Sequence, residues 1–190
     1  MYDRPLGPSG LTWRELGHWW AGRENLTGAS EVDVWRGLHQ RLDRSLDNEA
    51  ERRVLRAYGR RYVDLGPDIP ALLPQVYLHY DPYTRIHHSP GLPPLARQRM
   101  DFLLLLPNRV RIVIECDGVQ HYAEKDGRAE PRRYAEMVAE DRALRLRGYE
   151  VYRFGGYELQ DSGDTGVADR RLGSFFDALD ARHKPPASTG

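Results

Sequence analysis

The sequence predicts a mixed α/β domain of the α+β kind, in which helices flank a central mixed sheet. Two runs of large aliphatic and aromatic residues, at 102–106 and 110–114, have the composition of buried strands. Helical patterns precede and follow them, and a further strand pattern occupies 150–154. The resulting order of helix, strand, hairpin, helix, strand and helix is typical of a sheet covered by helices.

Residues 1–46 are predicted to form a helical N-terminal appendage. All four tryptophans of the chain lie in this part. Helical patterns follow Thr12 and Ser30, whose hydroxyl groups can cap a helix N-terminus. We expect these helices to pack through their tryptophans on the rest of the protein. The alternative is a module that binds a protein partner or senses a target.

A longer helix is predicted to begin after Asn48, whose side chain can cap it while Glu51 reaches back in a capping box. Leu55, Tyr58 and Tyr62 follow Glu51 on one face of this helix. Glu51 therefore lies in line with the core-facing residues. It either serves only as a cap partner or points towards a functional site.

The opposite side of the same helix carries arginines at about one-turn spacing: Arg52, Arg53, Arg56 and Arg60. The planar guanidinium group suits phosphate oxygens, so this stripe is a candidate nucleic-acid contact. A solvated basic face is the alternative interpretation.

Three acids lie at the ends of the two aliphatic runs. A short turn at 107–109 joins the runs into a hairpin, which brings Asp101 opposite Glu115 and Asp117. Ionised carboxylates so close together repel one another unless a cation lies between them. Mg²⁺ and Mn²⁺ prefer oxygen ligands of this kind. The sequence therefore predicts a metal site at this end of the hairpin.

The remaining elements are predicted from shorter patterns. A first strand is expected at 76–80, a long loop with the pair His87 and His88 reaches to residue 94, and helices are expected at 130–147 and 167–179. Asp141 interrupts the apolar face of the first of these helices and is expected to pair with Arg145, one turn later. Residues 183–190 are expected to form a disordered tail.

The acids and their surroundings resemble the PD-(D/E)XK nuclease superfamily, and within it small bacterial nucleases related to very-short-patch-repair endonucleases. The pattern covers roughly residues 48–159 and consists of Asp101, the segment Glu115-x-Asp117-Gly118-x-Gln120-His121, the pair Asp141-Arg142 and the strand segment 148–154. The resemblance implies a restriction-endonuclease-like core, here assigned to a nuclease domain at 47–182.

The resemblance also implies roles for individual residues. Asp101 and Glu115 would be the metal ligands, and a glutamate on the helix before the sheet, here Glu51, often takes part in catalysis. The resemblance would give Asp141, Arg142 and Arg153 supporting positions around the metal ligands.

Asp117 stands where the superfamily usually has a lysine that orients or activates water. The chain contains only two lysines, Lys125 and Lys184. Three replacements remain open: Gln120 could orient the water, His121 could act in acid/base chemistry, or Lys125 could reach back from the next loop. The closeness of Gln120 and His121 to the strand end favours these two, so Asp117, Gln120 and His121 join the predicted catalytic set.

Composition bears on how the protein could contact DNA and on where in the cell it is expected. The formal net charge is zero, so contact with DNA must come from a local patch. The single cysteine, Cys116, alternates with its acidic neighbours along the strand and is expected in the core. No apolar run approaches the roughly 18 residues of a membrane span, and the N-terminus is unlike a signal peptide. A cytoplasmic protein with no membrane partner is expected.

The sequence thus predicts a metal-dependent endonuclease that uses Mg²⁺ or Mn²⁺ to hydrolyse DNA, in restriction, repair or anti-phage defence. The partner is nucleic acid, with DNA favoured over RNA. A nuclease-fold module that binds DNA or protein without cutting is the main alternative, since the usual lysine is missing. A ribonuclease or toxin is a further alternative.

Overall fold

The computed structural model describes residues 2–26, 28–78, 99–117, 131–160 and 166–183. Within these ranges the chain forms a four-stranded mixed sheet and five α-helices, which confirms the predicted mixed α+β class. The helices are α1 (Trp13–Arg23), α2 (Glu31–Asp43), α3 (Glu49–Leu65), α4 (Pro131–Leu146) and α5 (Val167–His183). The strands are β1 (Leu73–Tyr77), β2 (Arg99–Leu105), β3 (Arg111–Asp117) and β4 (Tyr149–Gly155).

The strands are ordered β1-β2-β3-β4 across the sheet. The β1–β2 and β2–β3 pairs are antiparallel, whereas β3 and β4 run parallel. The predicted hairpin of β2 and β3 is confirmed, and both strands are central and almost completely buried. Its tight turn uses left-handed backbone at Asn108 (φ 58°) and Arg109 (φ 61°), and asparagine accepts this conformation more readily than most residues.

The first strand differs from its predicted bounds. It begins at Leu73, three residues before the expected start, and therefore contains Pro74. Proline lacks the N–H group that a central strand needs, but β1 lies at the edge of the sheet and forms its ladder on one side only. The predicted strand start at residue 76 was therefore wrong, because the edge position allows the strand to include Pro74.

The predicted helix N-termini are confirmed by their caps. Thr12 accepts a hydrogen bond from the Glu15 N–H at 3.2 Å, and the Glu15 carboxylate accepts one from the Thr12 N–H at 2.9 Å. Ser30 and Asn48 cap α2 and α3 in the same manner, through the N–H groups three residues ahead. These contacts lie within one turn, so the local sequence is sufficient to specify them.

The last helix is longer than predicted. It ends at His183, whose ring Nε2 lies 3.2 Å from the Glu150 carboxylate of β4. The expected tail boundary at 183 was therefore wrong by one residue, because a contact with the sheet extends the helix; residues 184–190 lie outside the described ranges. Leu172, Phe176 and Leu179 are buried, and Phe175 is partly buried against the same core.

The N-terminal helices share a hydrophobic core with the sheet. Trp13 is buried and meets Trp35 edge-on at a centroid distance of 4.8 Å. Trp35 in turn stacks on Tyr62 of α3 at 4.0 Å. The tryptophans therefore pack on the rest of the protein, as predicted. Among the described helices, none has the length and apolar composition required to cross a membrane.

Candidate active site

One row of polar side chains crosses the sheet from β1 to β4. The β2–β3 register continues from the Phe102–Ile114 pair to set Asp101 across from Glu115. Glu115 pairs directly with Arg153 of β4. On the other side of β2, Gln75 of β1 lies opposite Asp101, because the residues before and after Gln75 pair with Phe102 and Met100. We refer to Gln75, Asp101, Glu115 and Arg153 as the polar row.

Asp101 and Glu115 form the centre of this row. The Cys116 backbone N–H donates a hydrogen bond to Asp101 Oδ2 at 2.8 Å, which holds the Asp101 carboxylate against β3. Glu115 is only 8% exposed. Burial raises the pKa of Glu115 well above its usual range, and the negative charges of Asp101 and Asp117 raise it further, while Arg153 opposes them. The structure therefore brings together the two carboxylates that the sequence predicted to meet.

The Cys116 side chain belongs to the core, as predicted. It is a free thiol, 3% exposed. Burial, followed by the nearby carboxylate charges, raises its pKa. Only its backbone N–H takes part in the site.

Arg153 joins two further carboxylates at the β4 end of the row. Its Nη1 lies 2.8 Å from Asp117 Oδ1, and its Nε and Nη2 lie 2.8 and 2.7 Å from Asp141 Oδ1. All three side chains are mostly buried. Burial lowers the pKa of Arg153, but the hydrogen bond with Asp141 and the surrounding negative charges outweigh this effect and raise it.

This network corrects the expected partner of Asp141. The carboxylate binds Arg153 on β4 and not Arg145 on its own helix. The reason is the packing of α4 against β4, which places a buried guanidinium beneath Asp141, whereas Arg145 is exposed. Arg142, the neighbour of Asp141, is also on the exposed side of α4 and is not brought to the row.

Glu51 points into the protein at the β1 end of the row and is 3% exposed. Its carboxylate accepts hydrogen bonds from Asp47 N at 2.8 Å, Asn48 Nδ2 at 2.6 Å and Gln75 Nε2 at 2.8 Å. Burial raises its pKa, the Asp47 N–H lowers it, and the charge of Asp101 raises it again. Glu51 thus reaches back over the start of α3, but to Asp47 and not to the Asn48 N–H of a standard capping box.

Gln75 is a site residue that sequence reasoning missed. Its backbone has a φ of 55° in the middle of an edge strand, where a residue other than glycine is strained by about 1–3 kcal/mol. Its Oε1 atom is buried and has no hydrogen-bond partner in the described part of the chain. A single glutamine among prolines carries no pattern from which this role could have been found.

The arginines of the α3 stripe form contacts within α3 and with the segments packed beside it. Arg56 forms an ion pair with Glu49, and Arg60 lies 2.9 Å from Asp169 of α5. Arg53 is 3.9 Å from the same aspartate, and Arg52 donates to the Leu46 carbonyl oxygen at 3.0 Å. In the described ranges these contacts lead to α3, α5 and the segment before Asn48, and not to the polar row.

A metal site at the row would have two protein ligands. The described residues contain no group of three or more histidine, cysteine or acidic side chains arranged to hold a metal ion. Asp101 and Glu115 nevertheless fit a hard divalent cation, because they are neighbouring carboxylates and one of them is buried with a raised pKa. Mg²⁺ is commonly held by one or two carboxylates, with water and substrate oxygens completing its coordination.

Several predicted residues lie outside the described ranges: Gln120, His121, Lys125, Lys184, His87 and His88. The fold and the described site define a mixed α+β protein that has a buried and a half-buried carboxylate on its two central strands and an arginine on the adjoining strand β4. No family model, curated protein or solved structure matches the chain.

Proposed function

We propose that this protein is a metal-dependent endonuclease that hydrolyses DNA phosphodiester bonds, with a restriction-endonuclease-like core and a role in restriction, repair or anti-phage defence. The observation that supports this proposal best is the carboxylate pair Asp101 and Glu115 on adjoining central strands. Glu115 is buried beside the half-buried Asp101. Two ionised carboxylates in this arrangement repel one another unless a cation joins them, so the pair is better explained as a binding site than as a structural element.

Asp101 and Glu115 would hold Mg²⁺ or Mn²⁺. The chemistry that such an ion would supply is polarisation of the scissile phosphate, a lower pKa of a bound water and stabilisation of the leaving oxygen. The protein contributes the orientation of its ligands: the Cys116 N–H fixes the Asp101 carboxylate, and the β2–β3 pairing holds Glu115 beside it. Glu51 would extend the acidic surface from α3, held by its three hydrogen-bond donors.

Arg153 supplies a positive charge near the position where the resembling superfamily has a lysine. Asp117 occupies that position in the sequence, and the guanidinium of Arg153 binds its carboxylate. Arginine stays protonated, so it can stabilise negative charge but cannot accept a proton from water. Acid/base activation of water would therefore fall to another group, for which His121 is our candidate, while Gln120 would orient the water.

The α3 arginines are the proposed contacts for the DNA backbone. Arg56 and Arg60 are exposed, and their ion pairs with Glu49 and Asp169 lie at the surface. Such pairs contribute only about 0–1 kcal/mol each, so a phosphate group can replace the carboxylate partner at little cost.

The experiment that tests the proposal measures cleavage of labelled single- and double-stranded DNA and RNA with Mg²⁺, Mn²⁺ or EDTA. We expect metal-dependent cleavage of DNA that falls at least about a hundredfold in Asp101→Asn and in Glu115→Gln, because each removes a charged ligand. Asp177→Asn is the matched control, since it neutralises an exposed acid of α5 whose ion pair in the described ranges is with Arg61. Cleavage that survives in Asp101→Asn would contradict the proposal, and cleavage of RNA alone would identify a ribonuclease.

A second candidate is a module that binds DNA without cutting it. The ion pair between Asp117 and Arg153 favours it, because a structural contact occupies the position of the usual lysine. This function predicts no cleavage under any condition, together with DNA binding in EDTA that Asp101→Asn leaves unchanged. Binding that falls in Arg56→Gln would place the DNA on α3 in either case.

A further inference from the structure

A cavity of about 260 Å³ lies between α1, α2 and the C-terminal half of α3, apart from the polar row. The residues that characterise its walls are Trp13, Arg14, Gly17, Glu31, Trp35 and Tyr62. Tyr62 follows Glu51 by eleven residues, which corresponds to about 16 Å along the helix axis. The cavity is therefore a separate feature of the molecule, and the proposed phosphodiester chemistry does not use it.

Three aromatic rings line the cavity. Trp35 and Tyr62 are stacked with their planes 12° apart. Trp13 stands nearly perpendicular to both of them, at 79° to Trp35 and 89° to Tyr62. A third planar ring can extend the parallel pair, whereas a compact ammonium ion is bound best inside a cage of several ring faces. This geometry favours an aromatic ring over an organic cation.

Gly17 keeps one wall of the cavity open. It lies inside α1, where glycine is less favourable than alanine by about 1 kcal/mol. A Cβ atom at this position would meet no other atom within 4 Å, so no tight packing requires the glycine. Because Gly17 lines the cavity, a larger side chain at this position would occupy space that the glycine leaves open.

The polar groups of the cavity include one carboxylate suited to a hydrogen-bond donor. Arg14 is bound to Asp68 by two contacts of 2.6 and 2.9 Å, which neutralise it. Glu31 is exposed at the first position of α2 and has no ion pair within 4 Å in the described ranges. The cavity thus offers a planar aromatic wall together with an acceptor of two hydrogen bonds.

We propose that this cavity binds a single unpaired nucleobase, with guanine preferred. A volume of about 260 Å³ is just below the range of about 300–1,000 Å³ for drug-sized ligands and suits one ring system. Stacking on aromatic side chains contributes about 1–3 kcal/mol per base. Guanine presents two neighbouring N–H donors that match the two oxygens of Glu31, whereas the other bases lack this pair of donors.

The test is calorimetric titration of the full chain with the monophosphates of guanosine, adenosine, cytidine and uridine, in EDTA. We expect guanosine monophosphate to bind and the other three to bind at least about tenfold more weakly. Glu31→Gln should weaken guanosine monophosphate about tenfold and remove its preference over adenosine monophosphate, because the amide replaces one of the two acceptor oxygens with an NH₂ donor. Binding without metal separates this proposal from the nuclease proposal, since either can fail alone.

Gly17→Leu should abolish binding by filling the cavity. Gly173→Leu is its matched control, because Gly173 is also inside a helix, with no atom within 4 Å of an added Cβ, but does not border the cavity. Thermal unfolding of both variants verifies that they fold. The proposal is overturned if no nucleotide binds at millimolar concentration, or if both leucine variants bind equally. It is also overturned if tetramethylammonium or N-acetyltryptophanamide binds more tightly than every nucleotide, which would reveal a cation or peptide site.

Discussion

At the β4 end of the polar row, Asp117 and Asp141 share the guanidinium of Arg153, whereas at the β1 end Glu51 is held by three neutral hydrogen-bond donors. Glu115 lies between the two ends. Its raised pKa shows that Arg153 does not offset the effects of burial and of the neighbouring acids. One row of the sheet therefore combines a region where buried charge is compensated with a region where it is not.

The presence or absence of a cationic partner distinguishes the structural carboxylates from those with a proposed role in chemistry. A buried carboxylate with a cationic partner can persist as part of the fold. Glu51 and Glu115 have no ion pair in the described ranges, and burial raises the pKa of both, which favours binding of a proton or a cation. The proposed metal ion would therefore lie on the β1 side of Glu115, whereas Arg153 joins Asp117 and Asp141 on the β4 side.

The largest effect is expected from removal of Arg153, the cation that compensates the buried acids. Arg153→Met should lower the free energy of unfolding by about 3 kcal/mol, because it leaves Asp117 and Asp141 buried without it. Urea denaturation measures this change. Arg132→Met is the control on α4, since Arg132 pairs with Glu136 at the surface and should cost less than about 0.5 kcal/mol. Equal losses in the two variants would mean that the buried network contributes no more than a surface pair.

The neutral donors at the other end can be tested through Gln75. Gln75→Ala should destabilise the protein by about 2 kcal/mol, since Glu51 loses a donor while the left-handed backbone strain remains. Gln75→Gly loses the same donor but relieves the strain, so it should cost about 1 kcal/mol less than the alanine variant. If alanine is tolerated better than glycine in urea denaturation, the strand is not strained at this position.

Binding of Mg²⁺ to Asp101 and Glu115 would compensate the negative charge of this carboxylate pair. Mg²⁺ at about ten times its dissociation constant should stabilise the protein by about 1.4 kcal/mol. The stabilisation should disappear in Asp101→Asn and persist in Asp177→Asn. Thermal unfolding with Mg²⁺ and with EDTA measures the effect. An equal shift in all three proteins would indicate binding elsewhere.

The smallest expected effect concerns the charge of Glu115 itself. In EDTA at pH 7, Glu115→Gln should stabilise the fold by about 1 kcal/mol, because it removes a buried negative charge beside Asp101. The pKa of Glu115 is higher in the folded than in the unfolded state. Wild-type stability therefore falls as the pH rises from the unfolded pKa towards the folded pKa. The advantage of the variant should therefore grow with pH and vanish below the unfolded pKa near 4.3. An advantage that is independent of pH would show that packing causes it.

Local features account for most of what could be predicted. The caps at Thr12, Ser30 and Asn48 depend on contacts three residues apart, and the order of helices and strands follows from short hydrophobic patterns. The meeting of Asp101 with Glu115 was also predictable, because a turn of three residues sets the register of the β2–β3 hairpin. The long contacts were not predictable in the same way: Asp141 was expected to pair with Arg145, four residues away, and binds Arg153 on the sheet instead.

The sequence by itself determined the α+β class, the helix starts and the pair of acids on the central hairpin, since each depends on neighbouring residues and elementary stereochemistry. Only the tertiary structure decided which distant groups complete the site. The parallel pairing of β4 with β3 carries Arg153 across from Glu115, and the strained edge strand carries Gln75 to Glu51. Both contacts join segments far apart in the chain, so they arise from the packing of whole elements and leave no periodic pattern in the sequence.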